Sequence, residues 1–176
     1  MSRGAKEPQK VDESETLEAI ADAVAEEILD EDGIYFLGGA GSTIKRIKDR
    51  LGINGTLLGG VDVVEVKEGK ARLLVKDAAE KDLLRFVDKN PRIVVTVIGG
   101  LNFLFGRGGN QQFSAEVLRR IPKENIIVVA TPSKVENGVI RVYTGDKEVD
   151  EKLRGGYIRV RVSPLDGEDG KGYLTF

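Results

Sequence analysis

Residues 105–114 read Phe-Gly-Arg-Gly-Gly-Asn-Gln-Gln-Phe-Ser, one arginine among three glycines followed by three amides. Glycine leaves backbone N–H groups uncovered, a guanidinium forks onto phosphate or carboxylate, and amides read the edge of a base or sugar. The types are those of an anion clamp: Arg107 with Gly108, Gly109, Asn110, Gln111 and Gln112. A flexible surface turn is the plainer alternative. A second segment, Gly38-Gly39-Ala40-Gly41-Ser42-Thr43, runs from an apolar stretch into a helical one. A glycine loop entering a helix offers N–H groups at the positive end of the helix dipole, which suits phosphate at Gly39, Gly41, Ser42 and Thr43. It lacks the Gly-Lys-Ser/Thr of a P-loop and the spacing of the dinucleotide fingerprint. Ser42 acting only as a helix cap is the alternative.

Asp62 ends the corner Gly59-Gly60-Val61 between apolar residues, where a carboxylate needs a partner. It is the one candidate catalytic residue. Its roles there include a base, a magnesium contact, a ribose acceptor or a turn cap. Two more corners, Gly99-Gly100 and Thr131-Pro132-Ser133-Lys134, complete the set. With Gly60, Thr131 and Ser133 they make up the expected ligand-binding residues.

The elements that must position these corners follow from periodicity. Leu17, Ile20, Ala21, Val24, Ala25, Ile28 and Leu29 recur at helical spacing and predict an amphipathic helix over 15–30. Apolar runs at 34–37, 92–98 and 126–130 read as strands buried on both faces. Strands are also expected at 63–66 and 71–76, joined by a Glu68-Gly69-Lys70 hairpin, and at 139–143 and 157–162. Helices are expected at 44–51, 78–88, 115–121 and 147–153. The alternation predicts an α/β fold: a mostly parallel sheet flanked by helices, with a small C-terminal β-containing extension. Residues 12–165 form the single ligand-binding domain in this reading. Residues 1–11 are a disordered N-terminal segment, and 166–176 a mobile acidic, glycine-rich tail. In an open α/β sheet ligands bind outside the carboxyl ends of the strands, so a parallel sheet brings all four corners to one edge. The basic residues Lys45, Arg46, Lys48 and Arg50, with Asp49, read as a solvated helix face.

Composition narrows the chemistry. The 176 residues carry a net charge of −2, with no histidine and no cysteine. The pI near 5.4 argues against nonspecific nucleic-acid binding. Without histidine the usual base near neutral pH and the commonest transition-metal ligand are gone, excluding a zinc enzyme and a Ser-His-Asp hydrolase. A metal, if used, is a hard cation such as magnesium. No run approaches the roughly 20 apolar residues of a membrane span, and the chain fits a reducing cytoplasm.

The segments IYFLGGAGST (34–43), GTLLGGVDVV (55–64), VVTVIGGLNFLFGRGGNQQFS (94–114), ENIIVVATPSK (124–134) and YTGDKEVDEKLRGGY (143–157) resemble the C-terminal part of the ATP-NAD kinase-like family, which includes the acetoin-catabolism X-type proteins. Ala40 departs from the proline usual in that pattern. The resemblance implies NAD or ATP, with magnesium, as ligand. It also implies an absence, because the Gly-Gly-Asp-Gly-Thr motif of the kinase half has no match in this chain. The expectation is a stand-alone or split domain that binds a nucleotide or other phosphorylated ligand and does not catalyse without a separately encoded partner bearing that motif. A more distant similarity to phosphosugar-binding domains of the ribose-phosphate isomerase kind supports an alternative, an isomerase using Asp62 or another carboxylate as base, or a metabolite sensor. A homo-oligomer is compatible with either.

Overall fold

Four apolar runs build the centre of the protein. In a computed structural model that describes residues 6–38, 41–56, 60–97, 103–106, 110, 112–135, 138–166 and 170–175, they become strands of one mixed sheet. The elements in chain order are α1 (Lys6–Leu29), β1 (Gly33–Leu37), α2 (Ser42–Leu51), β2 (Val61–Lys67), β3 (Lys70–Ala78), α3 (Glu80–Leu84), β4 (Arg92–Thr96), β5 (Phe103–Gly106), α4 (Ala115–Arg119), β6 (Ile126–Val129), β7 (Val139–Tyr143), α5 (Lys147–Leu153), β8 (Tyr157–Arg161) and β9 (Lys171–Thr175). The strand order is β3-β2-β1-β4-β6-β8-β9-β7-β5. Among the described residues, five of its eight pairings are parallel.

Successive side chains of a strand face opposite ways, and here both faces are covered. Tyr35 and Leu37 of β1, with Val64, Val66, Val94 and Val129, face α1 and α2 through Ile20, Val24, Ile28, Ile44, Ile47 and Leu51. Ile34 and Phe36, with Val63, Ile93, Val95 and Val128, face Leu83 of α3, Val117 and Leu118 of α4, and Val149 and Leu153 of α5. This explains why these runs are continuously apolar rather than alternating. Truncating a buried side chain such as Ile20 to alanine costs about 2–5 kcal/mol. Asp22 of α1 accepts from Arg46 at 3.1 Å and lies 3.3 Å from Arg50, so an ionic edge lies beside the apolar contact of α1 with α2.

Several expectations are corrected. Helix α1 begins at Lys6, inside the segment read as disordered. Residues 171–175 belong to no tail. They form β9, inserted between β8 and β7, with Tyr173 and Thr175 buried. The C-terminal strands therefore continue the main sheet. The glycines and acids before β9 conceal a strand whose order comes from pairing with distant residues, such as Ile158 with Tyr173. Strand β5 lies where no strand is expected for the same reason, being four residues held by β7. The helix expected over 78–88 is shorter. Strand β3 runs to Ala78, the Asp82 carboxylate accepts the Ala79 N–H at 2.9 Å, and a 3₁₀ turn follows at Val87–Lys89.

The corner at Gly60–Asp62 precedes a strand rather than following one. Strand β2 runs antiparallel to β1, with Leu37 opposite Asp62, so its beginning still lies beside the end of β1. Strands β1, β4, β6 and β8 are mutually parallel and share a carboxyl edge.

Candidate functional site

At that edge β1 gives way to the approach to α2. The Gly38 N–H continues the sheet by donating to Val94 O at 2.9 Å. The cap of α2 is Gly41, not Ser42; no side chain caps the helix, and no acidic residue lies in its first turn. The first N–H groups of a helix have no partner within it, so this end presents donors and the positive pole of the dipole. Ser42 is exposed, and Thr43 is buried with its side chain facing the sheet's end.

A cleft of about 290 Å³ opens there, lined by Thr43, Thr96, Val129, Ala130, Thr131 and Lys134, and closed on its outer side by Ser14 and Leu17 of α1. Three threonines thus arrive from α2, the end of β4 and the end of β6. The Thr131 and Ser133 hydroxyls lie 3.2 Å apart, and the Lys134 N–H donates to Thr131 O, closing the turn that carries the lysine. No carboxylate lines this cleft among the described residues. A smaller depression of about 210 Å³ adjoins it across Ser14 and Leu17 and is lined by Ser42, Lys45, Arg46, Asp49 and Glu18. Its cations are engaged: Lys45 pairs with Asp49 at 3.0 Å, and Asp22, by hydrogen bond and charge, raises the Arg46 pKa.

The expected site residues separate into groups. Gly41, Ser42, Thr43 and Thr131 come together around the two depressions, with Ser133 beside them. Gly39, Gly99, Gly100, Arg107, Gly108, Gly109 and Gln111 lie outside the described residues. Gln112 is exposed. Asn110 is buried, and both hydrogens of its amide are taken, by Thr96 O at 3.0 Å and Leu104 O at 2.6 Å.

Asp62 has no exposed surface. Its Oδ2 lies 2.8 Å from Lys48 Nζ and accepts the Thr56 N–H at 2.8 Å, while Oδ1 accepts the Asp77 N–H at 2.9 Å. A carboxylate so engaged offers no oxygen to magnesium, a ribose or a substrate proton. Gly60 belongs to the same cluster, since a Cβ there would meet Asp77 Oδ1 at 1.6 Å. Lys48, read as part of a solvated face, is the buried partner. Among the described residues no group of three or more acidic side chains could hold a metal, and no helix is long and apolar enough to cross a membrane.

Sequence reasoning missed Thr96, Lys134, Ser14 and Leu17 as lining residues. Thr96 carried a signal, being the sole hydroxyl in the β-branched run 92–98. Lys134 stood in a recognised corner. Ser14 and Leu17 gave none, because only the packing of α1 brings them to this edge.

The model of the ATP-NAD kinase C-terminal domain matches residues 31–167. The chain belongs to that family. Comparison with curated proteins and with solved structures returns no match. In this ATP-NAD kinase C-terminal domain the matched span runs from just before β1 to just beyond β8. It includes Thr43, Thr96, Thr131 and Lys134 of the cleft. Helix α1, which contributes Ser14 and Leu17, and strand β9 lie outside it.

Proposed function

We propose that this ATP-NAD kinase C-terminal domain binds a nucleotide such as NAD or ATP, or another phosphorylated ligand, at the carboxyl edge of its sheet. One observation carries the reading: the N-terminus of α2, which no side chain caps, and the residues Thr43, Thr96, Thr131 and Lys134 meet at one cleft without a carboxylate among the described lining residues. A phosphate there accepts from helix N–H groups and threonine hydroxyls while the Lys134 ammonium balances its charge. Leu17, Val129 and Ala130 supply apolar surface for the rest of the ligand. Among the described residues the cleft holds groups that bind and orient and no carboxylate to act as a base. Phosphoryl transfer then requires the Gly-Gly-Asp-Gly-Thr motif, which has no match among these 176 residues. The isomerase alternative needs Asp62 or another carboxylate as base; the Lys48 pair occupies Asp62, and no carboxylate lines the cleft among the described residues.

The test is calorimetry and thermal denaturation with ATP, NAD, NADP, pyrophosphate and a pentose phosphate. Ligand at one hundred times its Kd adds about 2.7 kcal/mol, a rise of roughly 5–10 °C in Tm for a domain of this size. Lys134→Ala weakens binding about tenfold, the loss of one charge-assisted contact. The chain alone transfers no phosphate from ATP to NAD. If no compound in the panel moves Tm, or Lys134→Ala binds like the wild type, the cleft is not the site.

A further inference from the structure

Asn110 and Phe113 end the glycine-arginine segment, yet neither lines the cleft. Asn110 is 7% exposed and adopts a left-handed conformation with φ of 50°. Asparagine tolerates that region better than most residues. Its side-chain amide donates to Thr96 O at 3.0 Å and Leu104 O at 2.6 Å, tying the last residue of β4 to β5. Its main-chain oxygen accepts the Phe113 N–H at 3.1 Å. That turn points the Phe113 ring into the core, 5.9 Å from the Phe105 ring and edge-on at 76°. The same ring presses on Gly38, where an added Cβ would lie 2.3 Å from Cε2 and 2.7 Å from Cζ. Gly38 follows β1 and opens the approach to α2, and Thr96 is itself a cleft residue.

We infer that Asn110 and Phe113 are positioning residues for the phosphate cleft, a clasp that joins the ends of β1 and β4 to β5. The inference rests on the reading of the cleft as a phosphate site. Asn110 holds the carbonyl of Thr96 while the Thr96 side chain faces the ligand. Phe113 sets the height of Gly38, and so the line along which the chain enters α2 and delivers Thr43. Phosphate recognition by several fixed donors depends on their relative placement, so a clasp outside the cleft acts on affinity through geometry.

The experiment measures pyrophosphate affinity by calorimetry on folded protein, with stability followed separately in urea. Asn110→Gly keeps the backbone conformation and removes both amide bonds. Gly38→Ala adds the methyl that strikes Phe113, and Phe113→Leu removes the atoms it strikes. Asn110→Gly and Gly38→Ala each weaken pyrophosphate binding about tenfold, the equivalent of one or two lost hydrogen bonds. Gly38→Ala with Phe113→Leu recovers affinity relative to Gly38→Ala alone, a rescue that general destabilisation does not produce. Should Asn110→Gly fail to fold, the Gly38 and Phe113 pair decides. Unchanged affinity in folded variants that have lost only stability overturns the clasp and leaves the phosphate reading standing. A wild-type chain that binds neither pyrophosphate nor nucleotide overturns both.

Discussion

Asp62→Asn separates a structural carboxylate from a ligand-binding one. The Lys48 and Asp62 side chains are 5% and 0% exposed, with Nζ and Oδ2 2.8 Å apart. Asparagine supplies one acceptor oxygen where aspartate supplies two, so its NH₂ must face the N–H of either Thr56 or Asp77. Lys48 is left buried with neutral acceptors alone, the Thr56 carbonyl 3.3 Å away and, when the NH₂ faces Asp77, the new amide oxygen. Removing one partner of a buried pair costs about 3–5 kcal/mol, because the other charge remains out of water. That is a large part of the 5–15 kcal/mol typical of a whole domain, and it corresponds to a Tm lower by roughly 6–20 °C. Urea denaturation at 15 °C, where the variant is still folded, reads the loss directly. Adding Lys48→Met removes the stranded charge, so the double variant is more stable than Asp62→Asn alone. If Asp62→Asn keeps wild-type stability but loses nucleotide binding, the carboxylate is working at a ligand and the structural assignment is wrong.

Two further outcomes follow from single contacts. Gly106 ends β5 with φ of 83°, and a Cβ there would lie 1.8 Å from Tyr143 O. Gly106→Ala combines left-handed strain with a backbone clash and lowers stability by roughly 2–4 kcal/mol; a loss under 0.5 kcal/mol in urea would refute the β5–β7 contact. Lys152 Nζ donates to Leu118 O, Arg119 O and Ile121 O at 2.9, 3.0 and 2.5 Å at the end of α4, and burial lowers its pKa from the ordinary 10.5. Between that lowered value and 10.5 the unfolded chain holds the proton more often than the folded one, so this lysine's contribution to stability increases as pH rises through the window. A carbon-13 NMR titration of the Lys152 side chain shows a midpoint below 10.5; one at or above it contradicts the burial.

The core and the common edge were legible because period and composition are local. Ile34 to Leu37 and Arg92 to Thr96 are strands, and Ser42 to Leu51 a helix that stops before Gly52, as their patterns require. The hairpin at Glu68-Gly69 was also legible, with left-handed φ values of 52° and 76° joining β2 to β3. Pairing between distant residues was not. Strand β9 has a five-residue span with a glycine inside it, and only β8 and β7 on either side make it a strand. Lys48 sits one position from Ile47 on a basic helix, and its burial depends on where β2 places Asp62. The second corner shows the same limit. Its glycines suggested a ligand, while the space at Gly60 is filled by Asp77 and Asp62 pairs with a lysine from another element.

The sheet's two edges differ in how their charges are balanced, which favours the carboxyl edge as the site. At the opposite edge a cleft of about 210 Å³ gathers Arg92, Arg159 and Arg161 with Glu27, Glu31 and Glu124. Arg92 hydrogen-bonds Glu31 and, at 3.0 Å, the Tyr35 hydroxyl; Arg161 lies 3.4 Å from Glu27. An anion entering there must displace carboxylates already in place, so much of its attraction is cancelled. At the carboxyl edge the positive potential comes from a helix end that no side chain caps and from Lys134, in a cleft with no lining acid among the described residues. The carboxylate nearest in sequence logic, Asp62, is neutralised by Lys48 below the surface. The pair does two things at once: it removes a negative charge that would repel phosphate, and it ties α2 to the start of β2. Helix α2 is thereby held with its N-terminus toward the cleft, so the residue that looked like the catalyst fixes the helix on which the proposed site depends.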